Sequence, residues 1–338
     1  MNWIFDYSYE ELKRAFKELG FQAFVTDQVF LWLYLKNIQD IDNWSNISIK
    51  NREKIGHHFN TGLPPVKKLE KDEHGTHKFL FSLHDNHAIE AVMIPEKHHY
   101  TLCISTQVGC PLKCAFCATG TMGFKRNLTA GEILSQILAI KKEIPDYTGK
   151  LNIVFMGMGE PLLNYDNLKK ALDIMTSPKA LIISPRNITV STAGILDKIK
   201  QLELDFPKIK ISFSLNAPSE ETRETLMPIT TKEPLSATLD YFRQNDRKYR
   251  VTFEYVMIKD TTDSLEDARK IAVMLRGIKC KINLIPYNEN KTFTFQTPDA
   301  KRVDEFGEFL SQKGYTVMVR WSKGSSIKSA CGQLATET

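Results

Sequence analysis

The feature that most restricts the fold of this chain is a strand–helix alternation that begins near Tyr100 and runs almost to the end. Residues 100–105, 151–156, 187–191, 208–214, 250–257 and 281–285 are short runs rich in apolar side chains and read as strands. Between them, 130–144, 166–175, 195–204, 235–243, 265–275 and 299–310 carry apolar residues at helical spacing. Parallel neighbours need a crossover long enough to hold a helix, so the alternation predicts a parallel α/β sheet with right-handed connections. An open doubly wound sheet and a partial barrel both satisfy that order. The strand ends favour the barrel. Gln107-Val108-Gly109-Cys110, Gly157-Met158-Gly159-Glu160, Ser191-Thr192, Ser214-Leu215-Asn216 and Tyr287-Asn288 are polar or glycine-rich, as loops converging on one ligand pocket must be.

Ahead of this region the pattern differs. Residues 1–56 read as a helical accessory domain, with one helix over 9–19 and a second capped at Thr26-Asp27-Gln28 and running through Phe30, Leu31 and Leu33. Residues 57–95 read as a β-hairpin extension, in which the alternating stretches 78–83 and 88–93 flank the turn-like Asp85-Asn86. Residues 96–338 then hold the partial barrel and a C-terminal segment. There are 45 Lys plus Arg against 40 Asp plus Glu, a net charge of +5 that permits a polyanionic partner without requiring one. No apolar run approaches the ~20 residues of a membrane span, and the N-terminus lacks the basic start and apolar core of a signal peptide. The expected location is the cytoplasm.

Six cysteines, at 103, 110, 114, 117, 280 and 331, are too few and too unevenly placed for a secreted disulfide scaffold. Three crowd into Cys110-Pro-Leu-Lys-Cys114-Ala-Phe-Cys117, immediately after a predicted strand. Three thiolates in one loop can hold three irons of a [4Fe–4S] cubane and leave the fourth without a protein ligand. S-adenosylmethionine (SAM) can chelate that iron through its amino and carboxylate groups. Structural zinc is the competing reading; it takes four ligands, and His98 and His99 are close enough in sequence to be considered. The spacing and Phe116 before the last cysteine favour the cluster. Gly157-Met158-Gly159-Glu160 could then offer backbone N–H groups and a carboxylate to the SAM amino group.

On these residues the chain resembles the RlmN/Cfr family of radical SAM RNA methyltransferases, most closely its dual-specificity RlmN-type branch. The resemblance spans nearly the whole chain. It runs from Phe21-x-Ala23, Gln28-Val29 and Trp32-Leu33-Tyr34 through Met156-Gly157-Met158-Gly159-Glu160-Pro161-Leu162, Leu226-Met227-Pro228-Ile229 and Ile282-Asn283-Leu284-Ile285-Pro286 to Ala330-Cys331-Gly332-Gln333-Leu334. It implies a partial (β/α)6 barrel. It implies that Cys331 accepts a methyl group from one SAM, that a second SAM supplies the adenosyl radical, and that Cys103 releases the product through a transient disulfide with Cys331. Glu90 matches the family's proton acceptor. Gly159, Glu160, Ser191, Ser214, Leu215, Asn216 and Asn288 match its SAM-contact positions, and Cys280 matches no functional position, so it reads as structural.

The resemblance further implies methylation at C2 of an adenosine in the peptidyl-transferase region of 23S rRNA and of the adenosine 3′ of the anticodon in tRNA. A cellular electron donor of unstated identity is required, and the chain is expected to act as a monomer. Pro161, where the Cfr branch tends to have alanine, favours C2 over C8; C8 methylation and a non-enzymatic, zinc-bound RNA-binding module are the alternatives. Two positions depart from the family pattern: Asn216 stands where histidine is common, and Ser326-Ile327-Lys328-Ser329 where acidic residues are usual. Lys125-Arg126, the run Arg243, Arg247, Lys248, Arg250, and Lys13, Arg14 and Lys17 are candidate phosphate contacts as a group.

Overall fold

The structure, a computed structural model, describes residues 2–147, 149–245, 249–290 and 292–336. The helical unit is closed at its two ends by a parallel ribbon of β1 (Asn2–Trp3) and β2 (Phe59–Asn60). Its first helix, Tyr9–Glu18, starts at Ser8 with a reciprocal cap: the Glu11 amide donates to Ser8 Oγ and the Ser8 amide to Glu11 Oε2. The second helix, Phe24–Phe30, begins ahead of Thr26, at Ala23, and no side chain caps it. Thr26 is instead a buried residue within it, because apolar packing of Val25, Val29 and Phe30 sets the start of this helix. A π-helical turn, Leu31–Leu35, follows. The unit sits against the barrel where Asp6 accepts a hydrogen bond from the Gly131 amide (3.1 Å). A Cβ at Gly131 would lie 2.7 Å from Asp6 Oδ1 and 2.9 Å from the Trp3 ring, so only glycine permits this approach.

Strands β3 (Val66–Lys71), β4 (His77–Ser82) and β5 (Ala88–Pro95) form an antiparallel meander, one strand more than the expected hairpin. The meander is not a separate sheet. β5 pairs antiparallel with β6 (His99–Cys103), the first barrel strand. After a two-stranded ribbon of β7 (Gln107–Gly109) and β8 (Phe124–Asn127), the sheet continues in parallel through β9 (Lys150–Phe155), β10 (Ile188–Thr192), β11 (Lys210–Ser214), β12 (Val251–Met257) and β13 (Cys280–Pro286). These are the six expected strands in the expected order. A seventh, β14 (Thr316–Val319), adds an edge on β13, and the result is one mixed ten-stranded sheet. Helix starts follow from local capping. Thr129 with Glu132 and Ser264 with Asp267 make reciprocal caps, and Asp299 caps Ala300–Gln312. Cys280 packs in the main core, in line with a structural role. Among the described residues, no helix is long and apolar enough to cross a membrane.

Candidate active site at the carboxyl ends of the barrel strands

The cluster loop leaves β7 and is set into a small apolar core of its own. Cys110, Leu112 and Phe116 pack with Ala193, Ala217, Leu226, Met227, Ile258 and Tyr287. The Ala115 amide donates to the Leu226 carbonyl (2.9 Å), which ties the loop to the helix Glu220–Leu226. Burial pushes the Cys110 thiol up to about 12 and Cys114 well above its ordinary value, and the neighbouring cysteines raise both further. Thiols so placed ionise only against a strongly positive partner, and an iron–sulfur core is one. The donor set therefore fits a cluster held by Cys110, Cys114 and Cys117. All three are free thiols. Among the described residues, no group of three or more His, Cys, Asp or Glu side chains is gathered to hold a single metal ion. His99 starts β6, roughly 13 Å of extended strand from Cys103, so the two histidines lie toward the other end of the barrel from the cysteine loop.

Beside the loop, the Gly157–Glu160 turn is locked onto the end of β6. The Thr106 amide donates to the Met158 carbonyl (2.9 Å), the Met158 amide to Ser105 Oγ (2.8 Å) and the Glu160 amide to Gln107 Oε1 (2.9 Å). Gly159 has φ +100°, and a Cβ there would lie 2.5 Å from Gln107 Cβ. Glu160 is 3% exposed; its carboxylate accepts from the Ala193 and Leu162 amides, and burial raises its pKa to about 7 against those bonds.

Ser191, next to last in β10, and Ser214, last in β11, are half-buried. Leu215 packs its side chain into the core, and its N–H and C=O are already paired, so it offers no free polar group. Asn216 adopts φ +55°, a left-handed conformation that asparagine tolerates well. Its Oδ1 accepts from the Val256 amide (3.1 Å) and its Nδ2 donates to Met227 Sδ (3.4 Å), so the carboxamide joins the end of β12 to the residue after the helix Glu220–Leu226.

The C-terminal segment folds back over this mouth. The Ala118 amide donates to the Gly332 carbonyl (2.8 Å), Thr119 Oγ1 to the Leu334 carbonyl (2.6 Å) and Asn288 Nδ2 to the Cys331 carbonyl (3.2 Å). Gln333 Nε2 donates to the Glu289 carbonyl (2.9 Å), and the Ala335 amide to Glu90 Oε2 (3.0 Å). Cys331 is thereby held within electrostatic reach of both Cys117 and Cys103. Its side chain keeps accessible surface, yet surrounding atoms still push its thiol up to about 11. Burial raises Cys103 as well, and the charge of Cys331 adds to that rise.

Glu90 is no surface carboxylate of a hairpin. It is 4% exposed on β5 and paired with Lys78 (3.3 Å). Two further residues escaped the sequence reading. Arg223, fully buried, donates to the carbonyls of Ala193, Ser214 and Leu215 and to Thr230 Oγ1, joining the ends of β10 and β11. Desolvation lowers its pKa to about 10. Glu254 accepts from Ser212 Oγ (2.5 Å) and Asn283 Nδ2 (3.0 Å) across three adjacent strands, and its charge is the largest acting on Cys331. An acid amid the apolar run Val251-Thr252-Phe253-Glu254-Tyr255-Val256 was the available signal, since a central strand offers it only the barrel interior.

The basic candidates divide. Arg126 is committed to Glu132, through two hydrogen bonds, and to Asp85, so it is not free for phosphate. Arg243 is likewise spent on Asp240 and on the carbonyls of Met274 and Arg276, whereas exposed Arg250 makes one hydrogen bond, to Thr316 Oγ1. The planar forks of Arg126 and Arg243 suit the carbonyl and carboxylate acceptors that the fold itself supplies. Lys13, Arg14, Lys17 and Lys125 are exposed, and Arg247 and Lys248 lie outside the described residues.

An α/β barrel with a three-cysteine loop at its mouth defines a class, and sequence comparison agrees. The Radical SAM superfamily model matches residues 104–272, and the model of the ribosomal RNA large subunit methyltransferase N-terminal domain matches residues 2–60. The crystal structure of a radical SAM methyltransferase from Sphaerobacter thermophilus superposes with a TM-score of 0.95 at 34% identity, covering 99% of each chain. Proteins of Aquifex aeolicus and Clostridium botulinum, each named "Probable dual-specificity RNA methyltransferase RlmN", are 40% and 41% identical over 100% and 99% of this chain and 98% of their own length. The chain belongs to the RlmN-type family of radical SAM RNA methyltransferases.

Proposed function

We propose that this chain methylates C2 of an adenosine in the peptidyl-transferase region of 23S rRNA and of the adenosine 3′ of the anticodon in tRNA, with Cys331 as the methyl carrier. The observation that carries the reading is that Cys331, on the folded-back tail, lies within electrostatic reach of both Cys117 of the cluster loop and Cys103. Cys110, Cys114 and Cys117 would hold the [4Fe–4S] cluster, and Gly159, Glu160, Ser191, Ser214, Leu215, Asn216 and Asn288 would surround SAM. Bound together, cluster and SAM supply a one-electron cleavage that yields an adenosyl radical.

The chain's own residues do the rest. Cys331 sulfur, as thiolate, takes a methyl group from one SAM by displacement; a second SAM is spent on activating that group. Carbon–carbon bond formation at C2 suits this route, because that ring carbon is electron-poor and resists ordinary methyl transfer. Glu90 takes the proton lost from C2. Cys103 sulfur then attacks Cys331 sulfur and breaks its bond to the methylene carbon; that carbon takes a proton as the methylated base leaves, and the disulfide that remains is reopened by a reductant. A thiol–thiol step needs Cα atoms within about 7 Å at that moment, so the tail must bring Cys331 that close to β6. The adenine reaches the mouth from an unpaired or opened RNA region. Exposed Lys13, Arg14, Lys17 and Lys125 would meet RNA phosphates.

Mass spectrometry of rRNA and tRNA from a strain lacking the gene tests this directly. The expected result is one adenosine in each RNA lacking a methyl group at C2. Loss of a C8 mark instead, or no change in either RNA, would overturn the assignment. Anaerobically purified protein should carry about four irons and four sulfides per chain; stoichiometric zinc without sulfide would contradict it.

A further inference from the structure

Glu90 is the innermost of three charged residues that cross the antiparallel meander on one face. Glu70 on β3 stands directly opposite Lys78 on β4, and Glu90 on β5 lies diagonally beyond, its own partner being Leu80 and that of Lys78 being Val92. Lys78 Nζ lies 2.9 Å from Glu70 and 3.3 Å from Glu90. Exposure runs in the same order. The Glu90 side chain is 6% exposed, Lys78 9% and Glu70 30%. Lys68 pairs with the second oxygen of Glu70 (2.9 Å), and the tail contributes the Ala335 amide on the second oxygen of Glu90. A buried acid sealed by the tail on one side is thus connected to the surface on the other through one ammonium group.

That arrangement matters for a group that must accept a proton in every turnover. Once protonated, Glu90 has no use until it is reset, and the closed tail covers its approach from the mouth. We propose that Lys78 is a positioning residue that relays the proton collected by Glu90 to Glu70, and so to water, restoring the acceptor between turnovers. The transfer moves one proton and no electrons. Lys78 gives one of its protons to the Glu70 carboxylate, and the electron pair so freed on its nitrogen takes the proton from Glu90. Glu90 is left ionised, Lys78 is still an ammonium, and Glu70 as a carboxylic acid loses its proton to solvent. Lysine suits this step because its ammonium carries three donors and can change hands of a proton, whereas a guanidinium keeps its protons at any pH a protein survives.

The inference rests on the reading of Glu90 as the proton acceptor, and the test separates the two. The cluster-loaded protein is given an RNA fragment of the peptidyl-transferase region, with SAM, an electron donor and a thiol reductant in excess. Product per chain is followed through the first equivalent and into steady state. Lys78→Arg and Glu70→Gln should form the first equivalent at the parent rate and then slow by roughly 10²-fold, the scale of a lost acid–base step. Glu70 is part-exposed, so its variant leaves the packed sheet intact. A Lys78→Arg variant with the parent's steady-state rate would overturn the relay and leave Lys78 a counter-charge. First and later turnovers slowed equally in both variants would overturn it too. A Glu90→Gln variant that turns over like the parent would instead strike down the assignment of Glu90.

Discussion

The cluster loop and the C-terminal tail meet at one mouth but are held in opposite ways. The loop is embedded: its cysteines alternate with Leu112 and Phe116 in an apolar core, and buried Arg223 fixes the strand ends around it. The tail around Cys331 is pinned by single hydrogen bonds, to Ala118, Thr119, Asn288, Glu289 and Glu90, with Leu334 as its one anchor in the main apolar core among the described residues. Each such bond contributes about 1 kcal/mol net, whereas burying apolar side chains contributes about 25 cal/mol per Å² over a whole surface. Segments of the first kind open at low cost, and segments of the second kind open only when the domain does. A loop that must keep geometry and a tail that must carry a group from one sulfur to another need those different fastenings.

Four changes probe that contrast, beginning with the most drastic. Cys331→Ala should abolish RNA methylation altogether while leaving iron and sulfide content unchanged; any parent-like turnover would show that the tail is not the carrier. Cys103→Ala should retain the carrier but not the release, so RNA should accumulate covalently on the protein, visible as a shifted band that survives denaturant. Arg223→Met leaves three carbonyls and a hydroxyl without their donor, so unfolding in urea should reveal a loss of about 3 kcal/mol or more. A neutral outcome would mean that the embedded half of the site is not held as described. Thr119→Val removes one tail fastening of about 1 kcal/mol, and the Ala335 amide should then exchange with solvent about fivefold faster; unchanged exchange would show that the tail is fixed by something else.

The smallest effect lies at the turn between β4 and β5. Arg126 beside Asp85 holds that carboxyl down at about 2, from an ordinary 3.8. A carboxyl depressed on folding stabilises the fold above its unfolded value and loses that contribution as pH falls from about 4 toward 2. Asp85→Asn should therefore lower stability slightly at neutral pH, leave it nearly unchanged near pH 2, and so flatten the acid limb of the profile over that window. An unaltered acid limb would count against the ion pair.

Much of the barrel was legible because its strands and helices announce themselves locally. Thr129 with Glu132 and Ser264 with Asp267 mark helix starts, and apolar strand runs end in the polar residues that form the mouth. What escaped depends on neighbours far away in sequence. The second helix begins at Ala23 without a side-chain cap. β14 is a four-residue edge strand whose partner lies across a helix. The join between β5 and β6 turns a hairpin extension into part of the barrel sheet, and alternation within either strand does not encode it. Within the site, the cysteine loop and the Gly157–Glu160 turn stood out by spacing. Arg223 did not, since one arginine in a short helix looks like a surface charge until the carbonyls it serves converge on it.

The central claim is that the Cys331 sulfur carries the methyl carbon on its way to adenine. The most direct measurement follows trideuteromethyl-labelled SAM by mass spectrometry, first in the peptide holding Cys331 and then in the RNA. The account predicts a trideuteromethyl group on Cys331 before RNA is added, and afterwards a methyl group on adenosine C2 that keeps two of the three deuteriums. An unlabelled Cys331, or an intact trideuteromethyl group on the RNA, would contradict it.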